Sequence, residues 1–393
     1  MISVAQALEH LFALADPLPE ETVPLRHAAG RVLARDVFAT RTQPPFDASS
    51  MDGYAVKGVE ADLHAQFKVV GEAAAGHGWT GTVGPGQAVR IFTGAPVPEG
   101  ADHVLIQENV TRTGDLITLT DDSDSKSNIR PAGVDFFKGT DIAAPRLRRP
   151  GDVALLASMN VADVPVAKRP VVALISTGDE LVMPGEDPGP DQIIASNTFG
   201  LAAMLDDIGA EAHILPIARD NAASLRTVLG LANGADLVVT IGGASVGDHD
   251  LVADVAAEMG MEQSFYKVAM RPGKPLMAGR LDGTPMVGLP GNPVSAMVCG
   301  TVFVVPMLRA MMRLPAVPAP QVRRTLAAPL GANGPRAHYM RAIIDGDGVR
   351  DAGLQDSSLL SVLACANALI VRPPHDPVRH AGDSVDVIEL HNS

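Results

Sequence analysis

Three short stretches of this chain combine glycines with groups able to bind phosphate or a hard cation. Ser176-Thr177-Gly178-Asp179-Glu180-Leu181 and Gly242-Gly243-Ala244-Ser245-Val246-Gly247-Asp248-His249-Asp250 set hydroxyls beside carboxylates. Gly288-Leu289-Pro290-Gly291-Asn292-Pro293-Val294-Ser295 places two prolines around Gly291 and Asn292, directly before a helix-like run. Prolines fix φ and remove backbone donors, while glycines permit turns and close approach. A stiff loop entering a helix N-terminus presents free N–H groups and the positive end of the helix dipole to an anion. Lys267 and the segment Arg271-Pro272-Gly273-Lys274-Pro275 add positive charge. Asp179, Glu180, Asp248 and Asp250 offer hard oxygens suited to Mg²⁺ rather than zinc. No Gly-Lys-Ser/Thr follows a glycine loop and no Gly-x-Gly-x-x-Gly occurs, which disfavours ordinary P-loop and NAD-binding chemistry. The combination points to a phosphate- or pyrophosphate-containing ligand with a magnesium ion.

The elements around these stretches place them together. Val171–Ile175 is a continuous apolar strand, and the pattern continues with a helix over 197–208, a strand over 213–217 and a helix near 222–232. A strand over 236–240, a helix over 249–259, the apolar run 285–289 and a long helix complete it. Such alternation predicts a parallel sheet covered on both faces. Open α/β sheets bind ligands outside the carboxyl ends of their strands, so the three loops should converge on one edge.

Before this region, Ser3-Val4-Ala5-Gln6 reads as a capping box opening a helix. A second helix is expected over Leu25–Leu33. Residues 36–130 alternate short apolar runs with Gly, Pro and Asp, the pattern of a hairpin-rich β module. A helix over 152–157 follows, so the β module reads as an insertion into a helical element. Pro315–Pro320 reads as a linker, and the last ~75 residues as a small β domain. The expected division is 1–44 plus 131–168, an inserted 45–130, a central 169–316 and a C-terminal 317–393.

At 393 residues the chain exceeds one ordinary domain, and roughly two to four are expected. The formal charge of −14 and the lack of a Lys/Arg-rich tract exclude nucleic-acid binding through a basic face. The two cysteines, Cys299 and Cys365, both stand in apolar surroundings, which argues against a disulfide framework and fits a reducing, cytoplasmic compartment. The start, Met1-Ile2-Ser3-Val4, shows no basic region of a signal peptide. The apolar stretch Met297–Met312 is short of the ~20 residues of a membrane span, so a buried helix is expected.

The β-rich part has its own cluster. It contains Ser49-Ser50-Met51-Asp52-Gly53-Tyr54-Ala55-Val56 and Thr93-Gly94-Ala95-Pro96-Val97-Pro98. Taken singly, each is explained by turn chemistry. Together with Ser176–Leu181, Gly242–Asp248, Pro272–Pro275 and Gly288–Ser295, in this order over essentially the whole chain, they closely resemble molybdopterin molybdenumtransferase, the MoeA family that includes the gephyrin E domain. The resemblance implies a multidomain α/β and β fold. Its parts are a central α/β/α parallel-sheet domain of the molybdopterin-binding, MogA-like kind, an inserted β-rich module, a helical, elongated N-terminal domain and a small C-terminal β domain. It implies insertion of molybdenum from molybdate into adenylylated molybdopterin, with Mg²⁺ and release of AMP, by an elongated homodimer whose cleft is built from both subunits. Molybdopterin adenylyltransferase and apo-molybdoenzymes are the further partners expected, without nucleic acid or membrane.

Carried over by position, the resemblance implies catalytic roles for Asp52, Thr93, Asp135, Glu180, Lys267, Lys274 and Ser357, and Arg271 is expected to join them as an anion ligand on its own chemistry. Asp220, Asp248 and Asp250 would hold Mg²⁺ against the pyrophosphate. Thr177, Gly178, Gly242, Gly243, Ser245, Gly247, Pro290, Gly291, Asn292 and Pro293 would cradle the pterin and phosphates. The chain departs from the family pattern at Ala48 (usually Asn), at Arg271 (commonly Lys), and at Asp356 and Ser358, where Gln355-Asp356-Ser357-Ser358 replaces Gln-Gly-Ser-His. Two competing readings are a dimeric scaffold of the gephyrin E-domain kind and a pyrophosphate hydrolase sharing only the central domain.

Overall fold

A computed structural model describes residues 1–123, 126–147, 149–243, 251–346 and 348–390. Its centre is a six-stranded sheet in the order Glu211–Ile214, Val171–Ser176, Leu237–Ile241, Thr284–Leu289, Met277–Leu281, Glu262–Tyr266. The first four strands run parallel, in line with the alternating pattern, and the last two extend the sheet antiparallel. Met277–Leu281 joins Thr284–Leu289 through Asp282 and Gly283, at φ 48 and 79. Two consecutive positive φ values are what a two-residue hairpin turn requires.

Successive side chains of the central strands enter different cores. Val172 and Leu174 face one layer with the helices Asn197–Asp207 and Pro293–Met311. Ala173 and Ile175 face the other, with Ala222–Leu231 and Leu251–Glu258. The period of two puts alternate residues on opposite faces, and helices on both sides bury them all. Pro293–Met311 is long and apolar enough to cross a membrane by length and composition, but 78% of its most apolar 18-residue window is buried inside the fold, as a core helix is. It passes through a π-helical turn over Gly300–Val304, just before Pro306.

The first helix, Val4–Leu14, opens with the expected capping box of Ser3 and Gln6. Its buried Ala7, Leu8, Leu11 and Leu14 join the core of the central unit. The frame around the insertion is built on a four-stranded sheet, in the order Glu20–Pro24, Asp163–Ala167, Val32–Leu33, Arg146–Leu147, with Pro150–Ser158 as its helix. The helix expected over 25–33 is therefore corrected. Only Leu25–His27 coils, as a 3₁₀ turn, because Gly30 takes φ 70 and Val32–Leu33 pairs with Arg146–Leu147. The insertion is a six-stranded sheet in which Tyr54 and Val56 pack on one side and Ala55 on the other.

The C-terminal strands Ala337–Asp345, Gly348–Asp351, Val322–Leu326, Ser384–Glu389 and Ala368–Arg372 pair in that order, and the last returns to the first, closing a small barrel. Met270–Arg271, from the central part of the sequence, pairs in parallel with Ala337–His338 at its side. Cys299 is buried, and burial pushes its thiol far above the ordinary range. Cys365 is exposed, against the expectation of apolar surroundings, because its short helix Leu360–Cys365 has no buried residue.

Candidate active site

Among the described residues, the starts of the loops after the parallel strands converge. Thr177 N donates to Ile241 O at 3.0 Å and Gly178 N to Ala218 O at 3.0 Å, so the first loop lies against the strand end at 241 and the turn at 218. Gly242 N donates to Leu289 O at 3.1 Å, which brings the second loop to the third. Gly242 and Gly243 both take positive φ, 94 and 67. A Cβ on Gly242 would stand 2.8 Å from Thr177 O, and one on Gly243 2.3 Å from a Val252 methyl. A Cβ on Gly291 would reach the Gly242 Cα at 3.3 Å. At Gly242 and Gly243 only glycine satisfies both the dihedrals and the approach.

Two carboxylates flank this edge. Asp220 N donates to Asp179 Oδ1 at 3.1 Å and Asp179 N to Asp220 Oδ2 at 3.4 Å, so the two exposed side chains stand together. Glu180 is exposed beside them. Their hard oxygens fit magnesium by donor chemistry. Among the described residues no group of three or more His, Cys, Asp or Glu is assembled to hold a metal. Ser245, Gly247, Asp248 and Asp250 lie outside the described residues. Two positioning groups were not foreseen from the sequence. Arg219 spends one guanidinium nitrogen on the carbonyls of Gly178, Asp179 and Leu181, at 3.3, 3.2 and 2.9 Å. Asn197 Nδ2 donates to Gly291 O at 2.8 Å. An arginine before an aspartate and a helix-starting asparagine carry no pattern that announces these roles.

The proline-rich loop does not leave all its helix-entry amides free. Val294 N donates to Ser357 O at 3.0 Å, and Asn292 Nδ2 to Ser357 Oγ at 3.1 Å. Ser357 thus ties the barrel to the loop. Asp356 accepts from the Ser358 hydroxyl and amide, which hold its carboxyl below the usual range, helped by the charge of Arg341. On the neighbouring strand ends, Lys267 places its ammonium 4.6 Å from the Tyr266 ring centre. Arg271 is exposed beside His338, its register partner. Burial, with Arg271, Arg372, Arg336 and Arg341 around it, pushes His338 down to about 4.

The second cluster sits on the insertion. Asp52 Oδ1 accepts from Thr93 N and Thr93 Oγ1, and these two bonds, with the Arg90 charge, hold its carboxyl below the usual range. Ser49, Asp47 and Ala95 lace the first motif to the second: Gly94 N donates to Ser49 O at 2.8 Å, Val97 N to Asp47 O at 2.8 Å, and Ser49 N to Ala95 O at 3.0 Å. Ala48 is buried there, paired through Arg130. Asp135 is exposed on the return path, its N–H donating to Gln43 O at 3.1 Å. Among the described residues no hydrogen bond, ion pair or strand pairing joins this cluster to the central one.

A glycine-lined edge of a parallel sheet, flanked by carboxylates and met by a barrel loop, marks the ligand edge of an open α/β unit in a multidomain protein. Residues 2–160 match the family described as MoeA N-terminal region (domain I and II), residues 173–310 the probable molybdopterin binding domain, and residues 323–390 the MoeA C-terminal region (domain IV). The chain belongs to the molybdopterin molybdenumtransferase (MoeA) family of enzymes. It is 37% identical over 385 residues to molybdopterin molybdenumtransferase 2 of Mycobacterium tuberculosis, covering 94% of this chain and 95% of that one. It is 34% identical to the molybdopterin molybdenumtransferase of a Nostoc species, covering 99% and 94%. The crystal structure of a molybdopterin biosynthesis MoeA protein from Pyrococcus horikoshii superposes over 100% of both chains with a TM-score of 0.84 at 30% identity.

Proposed function

We propose that this enzyme inserts molybdenum from molybdate into adenylylated molybdopterin and releases AMP in a magnesium-dependent reaction. The observation that carries this reading is the meeting of Thr177, Gly242 and Gly291 at one sheet edge, with Asp179 and Asp220 beside it. The glycines leave room for a bulky phosphorylated ligand against the backbone. Asp220, with Asp248 and Asp250, would hold the Mg²⁺, which when bound supplies charge neutralisation at the pyrophosphate. Lys267, Arg271 and Lys274 supply the positive charge that draws molybdate and phosphate to a protein of net charge −14. Arg271 offers a planar fork to a tetrahedral oxyanion. Glu180 and Ser357 border the same edge.

The Asp52–Thr93 cluster serves the same reaction from a second copy of the chain in a homodimer. Its separation from the central cluster within one chain supports that arrangement. Molybdopterin adenylyltransferase would deliver the substrate and apo-molybdoenzymes receive the product, in the cytoplasm. The test is to incubate the purified protein with adenylylated molybdopterin, Mg²⁺ and molybdate. Release of AMP together with formation of active cofactor is expected. No AMP release beyond a protein-free control would sink the reading.

A further inference from the structure

The loop carrying Ser357 runs between the strand Gly348–Asp351 and the helix Leu360–Cys365. One side chain grips both of its ends. Arg341, on the barrel strand Ala337–Asp345, is 1% exposed and heads the fully buried side chains by volume among the described residues. Its Nη2 donates to Leu354 O at 3.0 Å and its Nη1 to Leu359 O at 3.1 Å. Gln355 adds a reciprocal tie: Arg341 N donates to Gln355 Oε1 at 3.0 Å, and Gln355 Nε2 to Arg341 O at 2.9 Å.

A buried guanidinium is a costly way to fill a barrel. It stays charged at any physiological pH, and an apolar residue of similar volume would avoid the desolvation. Asp356, whose carboxyl feels the Arg341 charge, is not within ion-pair distance of it, and among the described residues Arg341 makes no ion pair, so a direct charge–charge contact does not explain its place. Its fixed fork does, because two nitrogens at a set spacing fix the distance between two carbonyls, which a lysine ammonium cannot do. The loop held in this way delivers Ser357 to Val294 N and Asn292 Nδ2 on the central unit.

We infer that Arg341 is a positioning residue, which spans the Leu354 and Leu359 carbonyls so that Ser357 reaches Asn292 and Val294 and fixes how the barrel closes over the ligand edge. This rests on the reading of Ser357 and Asn292 as part of the active cleft. A mere filler of the barrel interior would leave the distant Val294 amide unaffected by its replacement.

The test uses the full-length protein carrying Arg341→Lys, read by amide hydrogen exchange and by molybdenum insertion. Exchange at Val294 and across 354–359 should rise at least about tenfold, while Ala368–Arg372 and Ser384–Glu389 keep their protection. Activity should fall, and the same substitution added to Ser357→Ala should cost little more, as for two residues acting as one unit. If Arg341→Lys does not fold, Gln355→Ala cuts the second tie and is read in the same way. Unchanged Val294 exchange in a folded variant overturns the inference, and so does full activity despite faster exchange. Full activity in Ser357→Ala alone would place the failure in the role given to Ser357, since the exchange result does not depend on it.

Discussion

The carboxylate of Asp52 accepts two hydrogen bonds from Thr93, from its amide at 2.7 Å and its hydroxyl at 2.8 Å. Both favour the ionised form, and they bring together two motifs 41 residues apart. Thr93→Ala keeps the amide bond and loses the hydroxyl. The Asp52 carboxyl should then rise toward its ordinary range, so that it takes up a proton at higher pH than in the wild type. The acid limb of the pH–rate profile should accordingly move to higher pH. A limb that stays in place would show that Asp52 ionisation does not govern the reaction.

Asp220 is exposed and meets Asp179 through backbone donors rather than through packing. Asp220→Asn should lower AMP release by more than about tenfold through loss of metal binding. Its stability should stay within about 0.5 kcal/mol of the wild type, as for a surface change. Thermal unfolding and a magnesium titration of the rate check the two halves separately.

Mixing Asp52→Ala chains with Asp220→Asn chains should restore part of the activity that each lacks alone, because under the proposed shared cleft a mixed dimer would contain one cleft with both clusters intact. Light scattering of the wild type should give twice the chain mass. A monomer at micromolar concentration, or mixtures as inactive as their components, would remove the shared cleft.

Gly243 and Gly230 make a matched pair. Gly243→Ala puts a methyl 2.3 Å from Val252 and 2.9 Å from Thr177 Oγ1, at φ +67, so the loop must shift. A cost of about 1–3 kcal/mol and a large loss of activity are expected. Gly230 lies in the helix Ala222–Leu231 with open space around it, and Gly230→Ala should stabilise by about 0.5–1 kcal/mol with activity unchanged. Chemical denaturation of both variants measures the contrast.

His338 is held neutral by burial and by four arginines: Arg271, Arg341 and Arg372 on three strands, the last itself paired with Asp376, and Arg336 just before the strand Ala337–Asp345. Unfolded, it takes up a proton below about 6.5, while folded it resists until about 4. The unfolded state binds more protons across that window, so stability falls as pH drops through it. The loss reaches about 3 kcal/mol by pH 4. His338→Gln should flatten the curve between these pH values by that amount in denaturant melts. An unchanged slope would assign the acid sensitivity to other groups.

Much of the fold is legible where local chemistry and tertiary need agree. Ser3 and Gln6 cap their helix as read, and the apolar run at 171–175 is a central strand. The segment 25–33 misleads because Leu25, Ala28, Val32 and Leu33 have helical spacing, yet Val32 and Leu33 are claimed by a distant strand partner. The hairpin at Asp282-Gly283 carried a readable signal that alternation of strand and helix overshadowed. Gly242 and Gly243 are legible because positive φ and close approach constrain residue type. Arg219, Asn197 and Arg341 are not, since each acts through carbonyls that any sequence supplies. The two-residue strand Met270–Arg271 is too short for periodicity to reveal.

That short strand has a consequence for dissecting the molecule. Ala337 N donates to Ala269 O at 3.0 Å, and Arg336 reaches Met270 O at 3.4 Å, so the barrel draws an edge from residues more than sixty positions earlier. A cut at Pro315–Pro320 would therefore divide the polypeptide without dividing the fold. The piece from 321 onward would start its strand at Ala337–His338 with an open backbone edge, prone to pairing with its own copies. The piece ending at 316 would keep the two residues that cover it. Produced together, the halves should bind each other as a split protein, whereas the C-terminal half made alone should self-associate.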